Sequence, residues 1–179
     1  MTLDRRLATA RLVLRPLTLD DLDALFAIGK DPEVVRYTGR PPEASIDDTR
    51  TRHERIATSL DDGSGIRWGI VRDGEVVGTA GIFRWDPKHQ QAQLGYDLAR
   101  AHWGQGLMTE ALGAVLDDAF VRFELHRVDA HVDPDNVAST RVLAKLGFVA
   151  EGRTRESFRF PDGHFGDTLV YGLLRGDWR

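Results

Sequence analysis

The 179-residue chain contains no cysteine, and that single absence excludes a disulfide framework, a thiolate metal site and a cysteine acyl-enzyme. No apolar run approaches the length of a membrane span, and the N-terminus has no signal-peptide hydrophobic region. The expectation is a soluble cytoplasmic protein that does not engage a membrane. The chain is not basic either: 24 Lys and Arg stand against 28 Asp and Glu, a formal net charge of −4, which argues against general nucleic-acid binding. The six histidines are scattered, and His131-Val-Asp133 is too short a constellation for a metal site, so no metal is expected. Apart from Pro41-Pro42, nothing resembles a linker, a repeat or a low-complexity tract. The length fits one domain, residues 1–179, with a substantial core.

What is present centres on Leu94 to Ala111, where a strand-like run passes through Trp103-Gly-Gln-Gly-Leu-Met-Thr-Glu-Ala111 into a helix. Gly104 and Gly106 allow close backbone approach and positive φ, and the free N–H groups at a helix start near Leu107 favour an anion. Ala111, Leu112, Val115, Leu116, Ala119, Phe120 and Phe123 recur at helical spacing and give one apolar stripe. A dinucleotide fingerprint would need glycine where Thr109 stands, and a Walker loop would need Gly-Lys-Ser/Thr. Neither is present, and the plain alternative is a glycine turn that only connects strand to helix.

Leu12 to Leu17 alternates as a first strand, and Thr18 with Asp21 resembles an N-cap and acidic N3 ahead of a helix from Leu22 to Gly29. Glu43 to Leu60, charged with sparse apolar positions, predicts an exposed second helix. Trp68 to Val71 and Glu75 to Phe83 flank Asp73-Gly74, a hairpin signal. A strand at Gln93 to Leu98, a helix after Gly106, a strand at Arg127 to Val132 and a helix capped by Asn136 follow. Gly147 suits the position just past that helix, and strand-like residues flank Pro161-Asp162-Gly163 in a second hairpin. The order βααβββαβαββ predicts an α/β mixed sheet with helices on both faces.

Several pieces, taken in order, carry a resemblance: Arg11-Leu-Val-Leu-Arg-Pro-Leu, Gly95-Tyr96, Trp103 to Ala111, Asp133-Pro-Asp-Asn136 with Ser139, Lys145-Leu-Gly-Phe148, Glu151-Gly152, Arg155-Glu156 and Asp167 to Tyr171. In these the chain is similar to the GNAT superfamily of acyl-CoA N-acyltransferases, and within it to the RimJ/RimL-type branch that acetylates protein N-termini and related amines. The resemblance implies the GNAT fold, a central, mostly antiparallel twisted sheet in which the strands ending near Leu98 and Val132 splay apart around the pantetheine arm. It implies acetyl-CoA as cosubstrate, direct transfer in a ternary complex, and an amine acceptor such as a ribosomal or other protein N-terminus. It also allows a homodimer. A small-amine acetyltransferase and a non-catalytic acyl-CoA binding module are the alternatives.

On this resemblance Leu98, Trp103, Gly104, Gln105, Gly106, Leu107, Met108 and Thr109, with Asn136 and Ser139, would bind the cosubstrate. Ser139 would assist the departing sulfur, although plain capping by Asn136 with Ser139 at N3 is the alternative. Many members carry a tyrosine acid where Leu143 stands and a glutamate base where this chain has His89-Gln-Gln-Ala-Gln93. Glu156 is the remaining candidate base, with an exposed strand carboxylate or a partner for Arg155 as the alternative. Trp68, Trp85 and Trp103 read as packing or cleft-wall residues, and Trp85 is the expected wall of the substrate site. A peptide α-amine, with a reference pKa of about 7.7–8.0 against about 10.4 for lysine, is already partly neutral at cytoplasmic pH, so a weak base suits an N-terminal acceptor.

Overall fold

The computed structural model describes residues 6–61 and 63–178. Its strands are β1 (Leu7–Ala8), β2 (Val13–Pro16), β3 (Ile66–Arg72), β4 (Glu75–Asp86), β5 (Gln91–Leu98), β6 (Arg127–Val132), β7 (Val149–Arg159) and β8 (Phe165–Leu174). They form one sheet in the order β1-β2-β3-β4-β5-β6-β8-β7. Asp73 and Gly74 both take positive φ in the β3–β4 turn, which is what a tight hairpin requires of that pair. Every described pairing is antiparallel except β5 with β6.

The helices are α1 (Leu22–Gly29), α2 (Pro32–Val35), α3 (Ile46–Asp61), α4 (Leu107–Arg122) and α5 (Val137–Lys145). β1 and α2 have no counterpart in the sequence-based order: two and four residues are too short to show a period. α2 begins by local chemistry instead, with the Asp31 side chain accepting from the Glu33 N–H at 3.0 Å and proline in the first turn. Thr18 and Asp21 do form the expected box, but around a 3₁₀ turn, Leu19–Asp21, that leads into α1. The Thr18 N–H donates to Asp21 Oδ2 at 2.7 Å, and Arg15 forks onto both carboxylate oxygens at 2.8 and 2.7 Å. α5 closes as expected on Gly147 at φ 85°. The N–H of Phe148 reaches the Leu143 carbonyl at 3.1 Å and that of Gly147 the Ala144 carbonyl at 3.2 Å, the paired bonds of a Schellman end.

α4 lays its stripe on the sheet. Leu112, Val115, Leu116 and Ala119 are fully buried among Leu14, Trp68, Ile70, Ile82 and Leu125. Leu116→Ala removes a wholly buried side chain from this packed layer and is expected to cost about 2–5 kcal/mol. Denaturant unfolding checks it, and a loss below about 1 kcal/mol would mean the layer collapses into the space left behind.

β5 and β6 set the functional geometry. They pair at Gln91 with Arg127, Ala92 with Val128 and Gln93 with Asp129, and nowhere beyond. β5 then runs on to Leu98 and β6 to Val132 with no rungs between them. The expected splay is therefore present.

Candidate active site

The gap opens into a groove of about 510 Å³ between the end of β5, the loop before α4, and α5. Leu98, Trp103, Gly104, Gly106, Leu107, Met108, Thr109, Asn136 and Ser139 all line it, so nearly every residue expected at the cosubstrate comes together. Gly104 and Gly106 both sit at φ 73°, a left-handed conformation that costs other residues about 1–2 kcal/mol. A side chain on Gly104 would meet nothing within 4 Å, so the space before the loop is open. Gly106 is the N-cap of α4 and offers no side-chain cap, which leaves the first amides of that helix for an anion. The loop is braced from outside. Arg11 Nη1 donates to the Gln105 carbonyl at 3.0 Å while its Nε pairs with Glu110 at 2.6 Å, and the Trp103 indole donates to the Leu98 carbonyl at 2.7 Å.

α5 contributes the opposite wall. Ala138, Ser139, Arg141, Val142 and Lys145 face the groove, close to the i, i+3, i+4, i+7 spacing of one helical face. Asn136 caps the helix by accepting the Ser139 N–H at 3.1 Å. Its capping role and its place in the groove coexist. Arg141 and Lys145 add positive charge to the wall and, with His102, suit an anionic ligand. His102 Nδ1 is buried and makes no hydrogen bond among the described residues, an open valence in a ligand groove.

The Ser139 hydroxyl shares a 2.6 Å hydrogen bond with the Tyr96 hydroxyl. Burial pushes the Tyr96 phenol up to about 12, with Ser139 opposing only part of the effect, so the pair is neutral across the physiological range. It is a donor unit without a base. Leu143, where the resemblance would place a tyrosine acid, is fully buried in the core and is not among the groove-lining residues. Tyr96 brings a phenol to Ser139 from the neighbouring strand. The sequence marks Gly95-Tyr96 but not the partnership of Tyr96 with Ser139, because the two are 43 residues apart. Arg141 and Lys145 were legible in principle from the helical period starting at Ala138.

Adjacent strand residues point to opposite faces of a sheet, so while Tyr96 meets α5, Asp97 faces the other side. Asp97 lines the groove there with Glu33, Val34, Arg36 and Tyr37. Its Oδ1 accepts from the Thr79 N–H at 3.1 Å and the Thr79 hydroxyl at 2.7 Å. Its Oδ2 lies 3.6 Å from Arg40 and 3.5 Å from Arg67. Arg40 also pairs with Glu43 at 3.1 Å, and Arg52 joins the same carboxylate at 2.6 Å. Burial first, then the like charge of Arg52, hold the Arg40 guanidinium below its ordinary value.

Three expected residues lie elsewhere. Trp85 packs edge-on to Phe123, centroids 5.2 Å apart, near the start of β5 and so at the opposite end of that strand from the gap. It buries apolar area rather than walling the groove. The Gln105 side chain turns away to Arg72 at 2.6 Å and the Ala101 carbonyl at 3.1 Å, so it braces the loop. Glu156 occupies an irregularity of β7 at φ 47°, its N–H held by Asp167 at 2.8 Å. It is exposed, is not among the groove-lining residues, and forms no ion pair with Arg155 among the described residues.

An anion cradle opening onto a split parallel pair, with a neutral hydroxyl pair at the split, fits a nucleotide-linked thioester: amides for the pyrophosphate, a gap for the arm and donors for the sulfur. These are the parts of an acyl-CoA-dependent transferase. Residues 11–149 match the acetyltransferase (GNAT) domain, and the chain belongs to that family. It is 36% identical over 171 residues to the uncharacterized N-acetyltransferase YoaA of Bacillus subtilis, covering 94% of this chain and 96% of that one. It is 25% identical over 156 residues to the spermidine N(1)-acetyltransferase of Escherichia coli K12, covering 87% of this chain and 82% of that one. The structure of Mycobacterium smegmatis RimJ in complex with CoA-disulfide superposes with a TM-score of 0.84 at 26% identity, over 92% of this chain and 82% of that one. The chain is thus an acetyl-CoA-dependent N-acetyltransferase. Among the described residues there is no cluster able to hold a metal and no helix long and apolar enough to cross a membrane.

Proposed function

We propose that the acceptor is the α-amino group of a peptide or protein N-terminus, acetylated by direct transfer in a ternary complex in the cytoplasm. The carrying observation is the neutral Tyr96–Ser139 pair, which provides for the leaving sulfur, while Glu156 stands outside the groove. The cradle from Gly104 to Thr109 binds the pyrophosphate, and Asn136 and Ser139 border the arm. The amine attacks the thioester carbonyl, and Tyr96 and Ser139 donate to the sulfur as the C–S bond breaks and charge develops there. An α-amine supplies its own neutral fraction near pH 7 and so asks least of the enzyme. The spermidine acetyltransferase relative keeps a small polyamine in view, and Glu33 at the groove would suit a second cation. Arg36, 3.8 Å from Glu33, already answers that charge. A binding module without activity would have no use for a donor pair at the split, and release of CoA on adding amines separates the two readings.

The pH dependence follows. The second-order rate constant for the acceptor should rise along the amine's own titration and shift with it when N-terminal peptides of different α-amine pKa are compared. Because Tyr96 keeps its proton to about pH 12, its ionisation adds no falling limb near neutrality. Glu156→Gln should cost no more than about tenfold, against the hundredfold or more that removal of a general base brings. An inflection that stays fixed across acceptors and disappears in Glu156→Gln would make Glu156 the base.

A further inference from the structure

Asp97 has a divided carboxylate. Oδ1 is saturated by the Thr79 amide and hydroxyl, whereas among the described residues Oδ2 receives no hydrogen bond and has only ion-pair contacts of 3.5 and 3.6 Å with Arg67 and Arg40. Asp97 lines the groove, next in sequence to Tyr96 and on the other face of β5. The groove thus presents the Tyr96–Ser139 pair from one face of β5 and Asp97 from the other.

Charge around Asp97 is also unbalanced. Arg40, Arg52 and Arg67 stand against Asp97 and Glu43, three cations against two anions in one connected cluster. The outer acids do not offset this, since Glu33 faces Arg36 at 3.8 Å and Asp31 faces Arg100 at 3.3 Å. Arg40 Nη2 is buried and donates no hydrogen bond among the described residues; its ion-pair contact there is the 3.6 Å one to Asp97 Oδ2, an oxygen it shares with Arg67.

We infer that Asp97 Oδ2 receives the reacting amine, and that the Arg40–Arg67 pair beside it restricts acceptors to amines with no second positive charge nearby, which excludes polyamines. The inference rests on the α-amine reading above and narrows it to N-termini whose first residues are not Lys or Arg. The neutral amine donates one N–H to Oδ2, which aims its lone pair at the carbonyl carbon. As the N–C bond forms the nitrogen becomes cationic. Asp97 takes its proton while the C–S bond breaks and the thiolate is protonated from the Tyr96–Ser139 side. Asp97 then returns its proton to solvent, and Tyr96–Ser139 recovers one from it. The contact strengthens as charge develops, so it belongs to the transition state more than to binding.

The test measures CoA release from acetyl-CoA with a tetrapeptide lacking charged side chains and with spermidine. Wild-type kcat/KM should favour the peptide by at least about tenfold, since like charges brought together disfavour the wrong partner. Asp97→Asn should lower kcat for the peptide by about a hundredfold or more, with acetyl-CoA affinity by calorimetry unchanged within about twofold. That split separates contact with the amine from a structural role, which would lower both. Arg40→Gln should narrow the preference for the peptide, and this readout stands if Asp97→Asn does not fold. Peptide acetylation undiminished in a folded Asp97→Asn protein, or wild-type preference for spermidine, overturns the inference. No CoA release with the peptide overturns the α-amine reading itself.

Discussion

Gly106→Val is expected to weaken acetyl-CoA binding by about a hundredfold or more while leaving the protein folded. Gly106 holds φ 73° as the N-cap of α4, and a residue with a Cβ pays about 1–2 kcal/mol to stay there, valine at the upper end because its β-branch is stiff. If the backbone relaxes instead, the amides after it swing out of the cradle, and each charge-assisted hydrogen bond lost contributes about 1.5–3 kcal/mol. Two such bonds amount to about two powers of ten or more in affinity. The nearest atom to an added Cβ is the tip of Arg11 at 3.7 Å, so no core clash confuses the result. Calorimetry with acetyl-CoA reads the affinity and circular dichroism the fold. Unchanged affinity in a folded variant would place the pyrophosphate elsewhere.

Tyr96→Phe and Ser139→Ala should each lower kcat by about a hundredfold, the usual cost of one donor to a charge that appears only in the transition state, with little change in acetyl-CoA affinity. The 2.6 Å contact makes the two hydroxyls one unit, and residues that act as a unit are not additive. The double variant should therefore be little worse than the poorer single one. Near-normal turnover of either single variant, measured where chemistry limits the rate, would leave the pair a structural contact. Losses that multiply to about ten thousandfold would instead show two independent donors.

How far the sequence reaches depends on the range of the interaction. The cradle is local: glycines, loop and helix start lie within a few residues, and so does the Asn136 cap. The geometry of both is therefore legible, down to the first residue of α4. The splay is not local, because it depends on where the rungs between β5 and β6 stop, and no periodicity in either strand marks Gln93 and Asp129 as the last pair. Tyr96, Asp97 and the arginines around Asp97 converge from β3, β5 and the stretch after α2, so each looked like an ordinary strand or loop residue. Trp85 packs on Phe123 away from the groove, and its place near the end of β4 does not tell which end of the sheet opens. Glu156 sits on a bulged strand, where alternation no longer tells which way a side chain points.

The missing rungs leave two bare backbone margins inside the sheet, along the end of β5 and the end of β6. At the outside of a sheet such margins recruit other strands and drive aggregation. Here the end of β5 lies inside the groove framed by the loop before α4 and by α5, not on the rim of the sheet. A slender arm carrying its own amide groups is the kind of molecule that can pair with such a margin, so the unfinished edge is offered to a ligand in place of another strand.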